Sequence, residues 1–229
     1  MDRIDSKDKF YGQVIKLSWD EAYINGSFRD MWDLSFPSQE LVAFIATINF
    51  PKETVGLDVG CGAGRETVFL AQHGLNMIGV DISVEALRIA AERAKEAGVQ
   101  VDWRYGNVLD LPIEDHSIDF VNDRGCFHSI AEEKRDQFAR EIARIIKPGG
   151  LMLLRGCREK KEKGHFIPVT GHAIDRHFGK YFDRGEVFPI QMVTGSGFSR
   201  EGMKGNLVVL KNVNKGVVKS IDSPKDMHF

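Results

Sequence analysis

Three acids and a run of glycines carry the chemistry open to this sequence. Asp58 stands just ahead of Gly60-Cys61-Gly62-Ala63-Gly64, so its carboxylate meets whatever rests on that turn. A carboxylate there repels a phosphate and suits an ammonium or sulfonium, which points to a cationic nucleoside. Asp81 ends the short apolar run Asn76-Met77-Ile78-Gly79-Val80. An acid about 20 residues beyond a glycine turn is placed to accept hydrogen bonds from both ribose hydroxyls. A helix cap is the competing reading, but Ser83 already fills that place before Val84. Asp123 opens the hexapeptide Asp123-Arg124-Gly125-Cys126-Phe127-His128. There Asp123 can complement a cation, Arg124 can hold a carboxylate, and His128 can act as a base or touch a substrate. A turn acid, a surface cation and a satisfied loop histidine compete with those roles.

The elements that position these groups follow from the pattern around them. Thr54 to Val59 is β-branched and aliphatic, the glycines make a tight turn, and Glu66 onward has helical character: strand, turn, helix. Glycines there let a ligand approach the main chain. The turn is not a dinucleotide fingerprint, because Arg65 stands where G-x-G-x-x-G needs its last glycine, and the lysine–hydroxyl pair of a P-loop is absent. Leu57-Asp58-Val59-Gly60-Cys61-Gly62-Ala63-Gly64 resembles the first motif of the class I S-adenosylmethionine-dependent methyltransferases. Asp123 to His128 resembles the matching segment of small-molecule enzymes of the thiopurine and tellurite type, and the likeness runs over roughly residues 15 to 155.

The resemblance implies a Rossmann-like α/β fold: a mostly parallel seven-stranded sheet, helices on both faces, and an antiparallel terminal strand. It implies S-adenosylmethionine as cofactor, bound by Asp58, Gly60, Cys61, Gly62, Gly64, Asp81, Ile82, Asn107, Val108 and Asp123. Asn107 would meet the adenine amino group, and the backbone amide beside it a ring nitrogen. Trp19 and Trp32 are lid candidates, Arg124 and His128 face the substrate, and His128 and Asp123 are the catalytic candidates. The implied reaction is in-line displacement of the methyl group by a small-molecule nucleophile. A NAD-dependent oxidoreductase and a noncatalytic binding protein on the same fold are the alternatives.

The 229 residues suit one domain: a lid and helices over 1–50, a cofactor-binding core over 51–155, and substrate-side elements with closing strands over 156–229. With 31 basic and 33 acidic side chains the net charge is −2, which gives no pull toward nucleic acid or an anionic membrane. Absence of a signal-like start or a long apolar run, together with three cysteines without metal-like spacing, points to the cytoplasm and to no metal. Ser38 caps an expected helix that Pro51 stops, a second helix runs to about Gly74, a third ends at Gly98, and a fourth spans Glu132 to Ile146. The charged stretch Arg158 to Lys163 reads as a solvated loop, or alternatively as a basic cover on an anionic substrate, before a helix at about Gly171 to Lys180. Val187 to Val193 and Leu207 to Lys211 read as two closing strands about a glycine-rich loop, with Pro189 at an edge or bulge and a short strand or tail beyond 212.

Overall fold

The computed structural model describes residues 19–159, 166–194 and 202–213. Expectations for residues 1–18, for the charged stretch 160–165, for most of the glycine-rich loop after 194 and for the tail beyond 213 lie outside them. A helix over residues 19–25 (α1) and a single turn at Phe28–Met31 (α2) precede α3, Gln39–Thr47. The core then alternates strand and helix: β1 Val55–Val59, α4 Arg65–Gln72, β2 Asn76–Asp81, α5 Val84–Ala97, β3 Val101–Tyr105 and β4 Ile118–Arg124. Next come α6 Arg135–Ile145, β5 Ile146–Cys157, α7 Gly171–Phe178, β6 Phe182–Arg184, β7 Phe188–Met192 and β8 Met203–Asn212. Local chemistry sets these boundaries. Ser83 Oγ accepts the Ala86 amide at 3.1 Å to start α5, and Gly98, with φ +68°, ends it in the left-handed region.

The sheet order is β3-β2-β1-β4-β5-β8-β6, with β7 also paired to β8. The first five strands are mutually parallel, and β8 runs antiparallel to β5, β6 and β7. The sheet therefore has eight strands where seven are expected. The extra one comes from the length of β8, whose outer edge takes β7 along Met203 to Leu207 and β6 along Leu210 to Asn212. Three residues, Phe182-Asp183-Arg184, are too few to show an alternating pattern in sequence.

Side-chain alternation splits the core into two layers. Leu57, Val59, Met152, Leu154, Val208 and Leu210 face α6 and α7. Met77, Phe120, Leu153, Leu207 and Val209 face α3 and α4. Helices thus cover both faces, and the parallel strands, buried on both sides, read as apolar runs. Among the described residues no helix is long and apolar enough to cross a membrane. The order reverses at β1, with β2 and β3 to one side and β4 to the other, which leaves a crevice beyond the carboxyl ends of β1 and β4.

Candidate active site

That crevice is a cavity of about 880 Å³, reached by residues that follow β1, β2, β3 and β4. Gly60, Gly62 and Gly64 hold φ of 64°, 53° and 72°, the left-handed region that favours glycine. At Gly62 a Cβ would also come within 2.5 Å of the Tyr23 hydroxyl. Gly60, Cys61 and Gly62 line the cavity. Gly64 does not; a Cβ there would press on Trp103 at 2.6 Å and Ala90 at 2.7 Å. The ligand contact expected of Gly64 is therefore corrected: it lets α4 and α5 close together.

Asp81, at the end of β2, lines the cavity with Ile82. Its Oδ2 accepts the Gly62 amide at 2.8 Å and its Oδ1 the Ser83 amide at 2.9 Å, so one carboxylate fixes both the glycine turn and the start of α5. Burial holds its carboxyl above the usual carboxylate range. Each oxygen keeps a lone pair for a ligand hydroxyl. Asn107 and Val108 line the cavity beyond β3, where Asn107 Oδ1 accepts the Leu109 amide at 3.0 Å and so orients the turn.

Under the turn lies a buried polar network that the sequence reading missed apart from Asp58. Asp58 accepts from the Thr67 hydroxyl at 2.5 Å and from Asn122 Nδ2 at 2.9 Å. The same Asn122 nitrogen donates to Glu66 at 2.9 Å, and Glu66 pairs with the fully buried Arg155, also at 2.9 Å. Arg155 donates further to Asn122 Oδ1 and to Ser38 Oγ, which ties α3 to the sheet. Burial and then the Glu66 charge push Asp58 up to about 7. Burial alone would raise Glu66 as well, but Arg155 and Arg124 bring it down to about 2. The negative charge therefore settles first on Glu66, and Asp58 gives up its proton only around neutrality. The readable signal was a charged residue, Arg155, in the otherwise apolar run Leu151 to Leu154 and beyond.

Trp19 and Trp32 both line the cavity, with ring centres 4.8 Å apart. Trp32 Nε1 donates to the Tyr23 hydroxyl at 3.0 Å. Tyr23, not singled out beforehand, is the ring that touches the glycine turn. Asp33 fastens this aromatic cap by pairing with Arg93 at 2.9 Å and Arg65 at 3.4 Å.

The two catalytic candidates are placed differently from expectation. Asp123 is the penultimate residue of β4, fully buried, and does not line the cavity. Its carboxylate accepts the amides of Cys126 and Phe127 at 2.9 and 3.0 Å, so it caps the turn that follows and faces no ligand. Burial pushes it up to about 7. Next to it, Arg124 lines the cavity but is committed: Nη2 donates to the Val193 carbonyl at 2.6 Å, and Nε lies 3.6 Å from both Glu40 and Glu66. His128 lines the cavity, yet its Nδ1 accepts the Cys157 amide at 2.9 Å. The neutral ring must then carry its proton on Nε2. Burial and the guanidiniums of Arg135 and Arg124 push it down to about 3, so it stays neutral at physiological pH. With its basic lone pair used by the backbone, His128 is a donor here, and its expected role as a base is corrected.

Residues 57–150 match a family whose description is a methyltransferase domain. An uncharacterized methyltransferase of Synechocystis sp. is 30% identical over 54% of this chain and 64% of its own. The ubiquinone biosynthesis O-methyltransferase of Agrobacterium fabrum is 33% identical over 42% of this chain and 38% of its own. The chain thus spans less than two thirds of the length of these relatives. Among solved structures, one described under the conversion of a disulfide bond into a thioacetal group during echinomycin biosynthesis superposes with a TM-score of 0.78. It covers 89% of this chain and 94% of that one at 18% identity, which speaks for the fold.

Proposed function

We propose that the chain is a class I S-adenosylmethionine-dependent methyltransferase, as the match over residues 57–150 and its relatives support, and that it moves the methyl group of S-adenosylmethionine onto a small-molecule nucleophile. The observation that carries the reading is the pairing of Asp81 and Asp58 about a left-handed glycine turn with bare backbone. Two acids suit a ribose and an ammonium, and would repel the pyrophosphate of a dinucleotide. The residues fit the cofactor: Asp81 has lone pairs for the ribose hydroxyls, Asn107 and Val108 lie where adenine would rest, and Asp58 can receive the methionine ammonium. Trp19, Tyr23 and Trp32 supply aromatic faces to a cation.

When bound, S-adenosylmethionine supplies a methyl group made electrophilic by a positively charged sulfur. The task left to this chain is to align the acceptor for in-line displacement and to exclude water. Asp81 holds the turn and the ribose in one register, and the Asp33-fastened aromatic cap closes the cofactor side. The printed name of the Agrobacterium relative, a ubiquinone biosynthesis O-methyltransferase, supports a small-molecule acceptor. Three free cysteines accord with a reducing, cytoplasmic setting.

Two measurements test this. S-adenosylhomocysteine should raise the unfolding midpoint, whereas NAD should leave it in place. Radiolabelled methyl groups should then pass to at least one of a thiol, phenol, amine and metalloid panel; a midpoint moved by NAD alone would remove the reading.

A further inference from the structure

We propose that Arg155, which forms no part of the cavity wall, is a positioning residue for the donor: through Glu66 and Asn122 it decides which acid beneath the glycine turn carries charge, and so governs how firmly Asp58 holds the methionine ammonium. This rests on the donor reading above and goes beyond it by naming the residue that tunes that end of the site.

On β5, Arg155 pairs in register with Arg124 of β4 and Leu207 of β8 and is fully buried. Its Nη2 donates to Glu66 Oε2 at 2.9 Å and its Nη1 to Glu66 Oε1 at 3.3 Å, the two-pronged grip of a guanidinium on a carboxylate. Nη2 also donates to Asn122 Oδ1. That bond orients the amide: a guanidinium can only donate, so the atom facing it is the oxygen, and Nδ2 must point the other way. There it meets Asp58 and Glu66, each at 2.9 Å. Both acids line the cavity, whereas Arg155 and Asn122 stand behind them.

Two buried carboxylates meeting one amide nitrogen resist ionising together, and a neighbouring cation decides between them. Arg155 grips both oxygens of Glu66, and Arg124 of β4, 3.6 Å from Glu66, pulls the same way. The first charge goes to Glu66, and Asp58, set against it, is held up to about 7. The other groups nearby leave that choice alone below neutrality. Thr67 of α4 donates a neutral hydroxyl to Asp58, and Asp123 of β4 is itself raised to about 7. Burial raises the thiols of Cys61 and Cys126, which feel both Asp58 and Asp81 of β2. From α3 come Glu40, 3.6 Å from Arg124, and at its start Ser38, whose hydroxyl accepts Arg155 Nη1 at 2.8 Å. An ammonium arriving at the turn therefore completes the ionisation of an Asp58 whose charge Glu66 and Arg155 have withheld.

The test follows S-adenosylhomocysteine by calorimetry between pH 6 and pH 8.5. In wild type the affinity should rise about tenfold from pH 6 to pH 8 and then level off, as one carboxyl titrating near neutrality requires. Glu66→Gln keeps an oxygen for Arg155 and removes the competing charge, so Asp58 ionises at lower pH. Its affinity should be flat over this range and about tenfold tighter than wild type at pH 6. Arg155→Met removes the cation, so the second charge on the pair comes at higher pH and affinity should still be climbing where wild type has levelled off. Were Arg155 only a brace for α3 through Ser38, its loss would weaken binding by one factor at every pH. That outcome, or a Glu66→Gln profile that keeps the wild-type rise, would overturn the proposal; Glu66→Gln decides alone if circular dichroism shows Arg155→Met unfolded. Carbon-13 spectra of the ligand-free chain read the same choice without the donor. The Asp58 carboxyl should titrate near neutrality in wild type and well below it in Glu66→Gln, and identical titrations would equally overturn the proposal. Failure of wild type to bind S-adenosylhomocysteine, with the Asp58 titration as expected, would instead strike the donor reading itself.

Discussion

At the scale of single residues, the proton shared out beneath the glycine turn sets how the site responds to pH. Asp58 and Glu66 both meet Asn122 Nδ2, and the guanidiniums of Arg155 and Arg124 favour charge on Glu66. Asp58 is therefore held up to about 7, and an ammonium arriving beside it would stabilise only the ionised form. By linkage, affinity for S-adenosylhomocysteine should rise as pH climbs from 6 to 8, at most tenfold per unit, and level off above the Asp58 value. Asp58→Asn should flatten that rise in calorimetric titrations; a wild-type affinity independent of pH would place the ammonium elsewhere. Asp81 makes a separate contribution, because it binds the Gly62 and Ser83 amides and, on the proposed reading, the ribose. Asp81→Asn keeps one acceptor oxygen and loses the charge. It should weaken S-adenosylhomocysteine by about tenfold to a hundredfold, the range for hydrogen bonds to charged groups, with little change in the circular dichroism spectrum.

At the scale of elements, two contacts hold the walls of the cavity. The first is Tyr23 on α1 against Gly62. Gly62→Ala meets both an unfavourable φ of 53° and the Tyr23 hydroxyl, so it should loosen the aromatic cap and weaken S-adenosylhomocysteine. Gly62→Ala with Tyr23→Phe removes the clashing oxygen and should recover part of the affinity; no recovery would show backbone strain to be the whole effect. The second is Arg135 at the start of α6, fully buried and stacked 4.3 Å over Phe127. It donates to the carbonyls of Phe127 and Ile167, at 3.2 and 2.7 Å, and more weakly to Ile130 and Pro168. That fan pins residues 166–168 against the His128 turn and so places Phe166. Arg135→Met should cost about 3 kcal/mol in denaturant unfolding, since it leaves buried carbonyls without donors. Elements with strong local signals were legible beforehand: the Ser83 cap, the Gly98 stop and the strand–glycine–helix turn each depend on neighbours in sequence. The Arg135 fan and the β6 strand were not. Both are made by partners distant in the chain, and neither leaves a periodic trace.

At the scale of the whole molecule, the same division of local from distant causes explains which site residues the sequence could name. Asp81, Gly60 and Gly62 stand out by spacing, whereas the hydrogen bonds that hold Asp123 and His128 could not be read, because their partners, the amides of Cys126, Phe127 and Cys157, have no side-chain identity. Those buried groups also fix how global stability should vary with pH. Asp58 and Asp123 are both raised to about 7 in the fold. Each contributes stability that is full below about 4, the unfolded carboxyl value, and is lost as pH rises through about 7. His128 is lowered to about 3, so its contribution is full above about 6.5 and is lost as pH falls. Between pH 4.5 and 6.5 the folded chain then holds extra carboxyl protons on Asp58 and Asp123, with Asp81 shifted the same way, and lacks one imidazole proton. Stability of the ligand-free chain should accordingly fall with rising pH, by about 1.4 kcal/mol per unit for each net proton. Asp123→Asn removes one raised carboxyl and keeps an acceptor for the following amides, so it should make that slope shallower by about 1.4 kcal/mol per unit. Unfolding midpoints measured across this window decide the matter: stability that climbs with pH in the wild type would mean that Asp58 and Asp123 are ionised in the fold, and the shared-proton account of the cavity floor would go with it.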